Sequence, residues 1–239
     1  MNKFLSYKLF DSDHVKVFST TRVIGSAKTD GKLKWKNLEK AMKLNNLIPS
    51  DLVLPEQVHG NKISIVKNTA VRLIPGKDGL VTKNKNIFLG VVTADCVPLV
   101  FYSPKNKIIG VFHAGYKGIL RGVLNEAINS FKANGGSLKG IKVLAGPSIG
   151  ICCYEVGKKI IDEFLAVFSN VENFYLKKGD KYFLDLKILI KEILLKAGFS
   201  EKNMEFSTLC TRDNSSFLYS ARKSKSKRYG EFATIVGMI

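Results

Sequence analysis

Four cysteines and three histidines are spread over 239 residues, and one of each falls at the edge of an apolar run. Cys96 sits in "VVTADCVPLVFY" (91–102), directly after Asp95, and His113 sits in "GVFHAGYKG" (110–118). The segments "PLVFYS" and "IIGVFH" read as two strands around the turn signal "SPKNK". A hairpin centred near residue 105 pairs positions whose numbers sum to about 209 or 210. Cys96 and His113 sum to 209, so spacing sets them side by side on adjacent strands. A second histidine, His59 in "EQVHGNKI", stands just before another strand, with Gly60 behind it.

A thiolate with two imidazoles is a catalytic zinc complement, because the fourth tetrahedral position stays open for water or substrate. The separations of 37 and 17 residues match no short zinc motif. The same residues support a second chemistry, in which Cys96 is a nucleophile and His113 its base. Asp95 is the nearest proton carrier by sequence. His14, in "DSDHVK", reads as a surface residue.

Past His113 the chain runs through "AGYKGILRG" into a helix. A strand, a small-residue turn and a helix start together make an anion site, with Lys117 and Arg121 in the first turns. Arg22, at the strand end in "FSTTRVIG", is a further anion ligand candidate. "AGPSIGICCYEVG" (145–157) is a glycine-punctuated turn whose Cys152 and Cys153 read as packing residues, and "KDGLVT" (77–82) reads as a turn at Asp78–Gly79.

The elements that must hold these groups alternate unevenly. Strand patterns cover 4–10, 15–20, 62–66, 87–94, 97–102, 108–113, 141–145, 205–209 and 232–238. Helical patterns cover 36–45, 118–133, 155–168 and 186–197, the last with Asp185 as N-cap and Gly198 as its stop. Strands outnumber helices and come in pairs, which predicts one α+β domain with mixed or antiparallel sheets. No apolar run approaches the ~20 residues that span a bilayer, so no membrane role is expected. The formal charge is +18, but only six of the 38 basic residues are arginine and the lysines are scattered. That pattern disfavours a nucleic-acid reader, which concentrates arginines on one face. The densest run, "RKSKSKR" (222–228), reads as a solvated loop. The cysteine spacing suggests no disulfide framework, in keeping with a cytoplasmic protein.

Taken together, "STTR", "EQVHG", "DGLVT", "TADCVPLVFY", "GVFHAGYKG", "GPSIGICCYEVG" and a closing "CT…YSARK" resemble one family. It is the laccase-domain family, once described as multicopper polyphenol oxidases and now understood as purine nucleoside phosphorylases. The resemblance covers about residues 18–238. It implies a four-layer α/β/β/α sandwich similar to the catalytic domain of cytotoxic necrotizing factor. It also implies that His59, Cys96 and His113 bind zinc. The implied activity is phosphorolysis of adenosine, inosine and 5′-methylthioadenosine, with adenosine deamination beside it. The implied partners are purine nucleosides and phosphate, in a monomer or homodimer. Copper and phenol oxidation have also been ascribed to the family. The chain departs from the pattern after "HAG", where Tyr116 and Lys117 replace the usual Trp and Arg, and at Arg222–Lys223, where paired arginines are usual. Lysine offers phosphate a point charge and not a bidentate fork.

Overall fold

A computed structural model of the chain describes residues 2–11, 14–168, 170–224 and 228–239. Its main strands are β1 (Phe4–Ser6), β2 (Val15–Thr20), β3 (Leu52–Pro55), β4 (Ile63–Ile65), β5 (Gly79–Thr82), β6 (Phe88–Thr93), β7 (Val97–Ser103), β8 (Ile108–Ala114), β9 (Lys142–Ala145), β10 (Met204–Phe206) and β11 (Gly230–Met238). The helices are α1 (Trp35–Leu44), α2 (Tyr116–Leu120), α3 (Val123–Ala133), α4 (Lys158–Val167) and α5 (Leu186–Lys196). One sheet runs β1-β2-β11-β6-β3 and ends on a short strand at 73–74; the other runs β10-β9-β7-β8-β5-β4. Parallel pairs (β3–β6, β4–β5, β9–β10) mix with antiparallel ones, so the fold is α+β with mixed sheets.

Strands β6, β7 and β8 read as unbroken apolar runs because both of their faces are covered. In β7, Leu99 and Phe101 pack on the helices while Val100 and Tyr102 pack on the other sheet. In β8, Phe112 meets α3 through Phe131 while Ile109 and Val111 face the other sheet. Leu89 and Val91 of β6 and Val236 of β11 close that inter-sheet core from the opposite side. Helix α1 inserts Leu38, Ala41 and Met42 against Phe18, Leu52 and Ile235 on the outer face of the first sheet.

Several expectations shift. The helix expected at 118–133 is two helices. Gly122 has φ +85°, a left-handed conformation that stops α2 and starts α3. The strand expected at 4–10 gives way after Ser6 to a 3₁₀ turn at Lys8–Phe10. The segment 155–168 opens with a two-residue strand before α4 begins. "KDGLVT" is not only a turn: Gly79–Thr82 is a buried strand, and Gly79 is required because a Cβ there would stand 2.5 Å from the Phe112 ring. The hairpin at 175–184, built around "KKGDK", was not expected. Helix α5 starts as expected: the Asp185 side chain accepts the amides of Lys187 and Ile188 at 2.9 and 3.0 Å.

Candidate functional site

The β7–β8 hairpin pairs Val97 with Ala114 and Pro98 with His113, a register sum of 211. The four-residue loop 104–107 sets the pairing at 211, where a sum of 209 or 210 was expected; the parity is that of the 209 register. A shift of two keeps every side chain on its face. Cys96 precedes β7 by one residue, in the bend after Asp95 (φ +93°), so it stands beside the end of the ladder and not directly across from His113. His113 extends the row of Ile109 and Val111, and Thr93 extends that of Leu89 and Val91. The site is thus the polar end of the slot between the sheets.

His59 comes from the loop after β3. Its ring meets that of His113 edge-on at 4.6 Å, and its Nε2 lies 3.9 Å from Cys96 Sγ. The three donor atoms lie within 4.8 Å of one another. His113 is buried, Cys96 half-buried and His59 exposed. Gly115 makes room for them, since a Cβ there would come within 2.8 Å of Cys96 Sγ and 3.2 Å of the His59 ring.

Asp78 organises both histidines. Strand pairing between β8 and β5 sets it opposite His113, whose amide donates to the Asp78 carbonyl at 2.7 Å. Its side chain is fully buried. Oδ1 accepts from the His59 amide at 2.9 Å and faces His113 Nδ1 at 2.9 Å, while Oδ2 accepts from Gly60 at 2.7 Å and Val58 at 3.2 Å. This turns His113 Nε2 toward Cys96, the carboxylate–histidine arrangement that orients metal ligands. Gln57 fixes the same loop from the other side, its amide exchanging two hydrogen bonds with Val92.

Electrostatics follow from this packing. Burial raises the Cys96 thiol, but the His113 charge and the bonds to His113 and His59 outweigh it and bring the thiol to about 7. Burial disfavours the His113 cation, yet Cys96 and Asp78 carry it up to about 9. Burial also raises Asp78, but the bonds from His113, Gly60 and Val58 hold it below the ordinary carboxylate range. Backbone strain concentrates here too. Of eight non-glycine residues with positive φ among the described residues, Asp30, Gln57, His59 and Asp95 line the two cavities that meet at His59 and Cys96.

Two cavities meet at His59 and Cys96. The smaller, of about 240 Å³, also holds Thr93, Lys28 and Glu231. Burial raises the Glu231 carboxyl, against the lowering pull of Lys28. Thr93 is buried and its hydroxyl has no partner among the described residues. The larger, of about 510 Å³, is walled by Tyr116, Lys117, Tyr154, Arg222 and Tyr229.

The other expected residues divide. Lys117 lines the larger cavity beside Cys96. Arg121 instead donates to the His59 carbonyl at 2.8 Å and so supports the ligand loop. Arg22 stacks on Tyr219 and donates to Leu218, in a neighbouring cavity without the cysteine. Asp95 also lines the larger cavity. Both of its oxygens are engaged, by Thr211 Oγ1 at 2.6 Å and the Arg222 amide at 2.7 Å. Helix α2 has only five residues, so the anion site expected at its start rests on Lys117 more than on a helix dipole. Residues 225–227 of the basic run lie outside the described residues.

The family model for "multi-copper polyphenol oxidoreductase laccase" matches residues 24–239. The chain belongs to this family. Among curated relatives, purine nucleoside phosphorylase YlmD of Bacillus subtilis (strain 168) is 32% identical over 217 residues, 85% of this chain and 76% of that protein. Adenosine deaminase RL5, from an unknown prokaryotic organism, is 29% identical over 183 residues, 72% of this chain and 70% of that protein. In structure, YlmD from Geobacillus stearothermophilus superposes with a TM-score of 0.89 at 23% identity, covering 99% of this chain and 96% of that one. YfiH of Bacillus licheniformis, a hypothetical protein, gives 0.83 at 25% identity over both full chains. The family description names copper, and a blue-copper centre often adds a weak axial methionine to two histidines and a cysteine; among the described residues no methionine lines the site. Met42, Met204 and Met238 line none of the three cavities described.

Proposed function

We propose that the chain is a zinc-dependent purine nucleoside phosphorylase acting on adenosine, inosine and 5′-methylthioadenosine, with adenosine deaminase activity. The observation that supports it best is the position of one thiol and two imidazoles where two cavities meet. Tetrahedral bonds of about 2.3 Å to sulfur and 2.0–2.1 Å to nitrogen set donors about 3.5 Å apart, close to the 3.9 Å between Cys96 and His59. His59, Cys96 and His113 would hold the ion. Zinc in such an open site supplies a Lewis acid and a bound water of lowered pKa. Copper has only the family description behind it.

The chain's own groups take the remaining work. Lys117 and Arg222 give the larger cavity positive charge for phosphate, and Arg22 is a further anion ligand. Tyr116 and Tyr154 offer rings for a purine. Thr93 gains its missing partner from a ligand in the smaller cavity. Asp95 and Glu231 are the carboxyls that could carry a proton. Burial raises the Glu231 carboxyl, which suits a proton donor. We read the core between the helices and the second sheet, the core between the sheets and the core under α1 as four layers, α/β/β/α, in one cytoplasmic domain spanning 1–239, as the family resemblance implies.

One observation favours a second reading. Cys96, His113 and Asp78 are linked in series, and the thiol is acidified. That is the wiring of a thiol hydrolase. A nucleoside assay on metal-quantified protein separates the two. Phosphate-dependent release of adenine or hypoxanthine, lost on chelation and in Cys96→Ala, supports phosphorolysis. Inosine formed from adenosine without phosphate supports the deaminase. No nucleoside turnover, with a metal-independent Cys96 acylation, sinks the first reading.

A further inference from the structure

A second cluster of donors lies outside this site. The sulfurs of Cys152, Cys153 and Cys210 and a carboxylate oxygen of Asp213 all lie within 4.8 Å of one another. The backbone builds it. Strands β9 and β10 run parallel, so the segments that follow them leave the sheet at the same end. A bridge joins Ser148 to Cys210, and the Thr211 amide donates to the Ser148 carbonyl at 3.0 Å. Within the cluster one carboxylate serves two thiols: Cys152 donates to Oδ2 at 3.2 Å and Cys153 to Oδ1 at 2.9 Å. The Gly150 amide donates to Cys210 Sγ at 3.3 Å, an outer contact of the kind that orients a thiolate ligand. Arg212 lies beside Cys153 and offsets negative charge. Cys153 and Cys210 are buried, whereas Cys152 and Asp213 face solvent and give an ion a way in.

We propose that Cys152, Cys153, Cys210 and Asp213 form a second metal site, which takes a soft divalent cation such as zinc. Three thiolates select such ions, and four protein donors leave no position for substrate, so the site is structural. On loading, three thiol protons pass to solvent as three metal–sulfur bonds form. The ion fastens the wall of the larger cavity. The Ile149 amide donates to the Asp95 carbonyl at 2.9 Å, Thr211 holds the Asp95 side chain, and Tyr154 follows Cys153 directly.

The test is a Cd²⁺ titration of the full chain, stripped and kept reduced, followed by sulfur-to-metal charge-transfer absorption. Wild type is expected to bind two equivalents and Cys96→Ala one. Cys152→Ala and Asp213→Asn replace exposed ligands, so the fold is expected to survive, as circular dichroism will show. Each should weaken one equivalent by at least the ~10–100-fold that outer-sphere changes bring. One equivalent that survives Cys96→Ala but is lost in Cys152→Ala upholds this site and removes the first. A single equivalent lost in Cys96→Ala and untouched by Asp213→Asn overturns the proposal. So does a native mass lower by two hydrogens, which marks a disulfide among these cysteines.

Discussion

Asp78 is bonded to three backbone amides and an imidazole, and it shapes the site without belonging to the donor set. Asp78→Asn replaces one acceptor oxygen by a donor and sets it against those amides. A buried donor left unpaired costs about 1–3 kcal/mol. The variant should melt lower and bind zinc ~10–100-fold more weakly, by calorimetry. Cys96 offers a second check. Its thiol sits at about 7, below the ordinary value of about 8.5. A lowered thiol pKa puts the reactive thiolate at lower pH. Alkylation of the metal-free protein at Cys96 should therefore rise through about pH 7. In His113→Ala, which removes the main lowering influence, the midpoint should move up. An unchanged midpoint would separate the thiol from the imidazole.

Among the elements, the break between α2 and α3 is the most exposed to test. Gly122→Ala forces a Cβ into the left-handed region, at a cost of roughly 1–2 kcal/mol, readable by urea denaturation. The break also marks where sequence reading reached its limit. Ile119, Val123, Leu124 and Phe131 are all buried, so the apolar spacing was legible, but it continues straight through the glycine. His59, Cys96 and His113 were legible because rare residues stood at strand ends. Asp78 was not, because a turn-like "KDG" conceals a strand whose pairing with β8 is a tertiary fact. Cys153 packs as expected, in a small apolar cluster with Ile149 and Cys210, but the third thiol was not legible because it comes from a segment 57 residues beyond Cys153. Only the parallel pairing of β9 with β10 brings it near.

At the scale of the whole molecule, the first site joins the two sheets: His59 follows β3 of one, Cys96 lies in the bend that crosses from β6 of that sheet to β7 of the other, and His113 stands on β8 of the other. An ion bound there resists their separation. Ligand at 100 times its Kd adds about 2.7 kcal/mol to stability. Chelation should lower Tm by several degrees, and excess zinc should restore it. An unaltered Tm, with metal removal verified, would show that the ion does not bridge the sheets.

The make-up of the larger cavity also bears on the order of events in turnover. On the proposed assignment phosphate and nucleoside both enter the larger cavity, where Lys117 and Arg222 stand with Tyr116 and Tyr154, so the two reactants share one mouth. If phosphorolysis is the activity, this predicts ordered kinetics: intersecting initial-rate lines, with product-inhibition patterns that show one substrate obligatorily first.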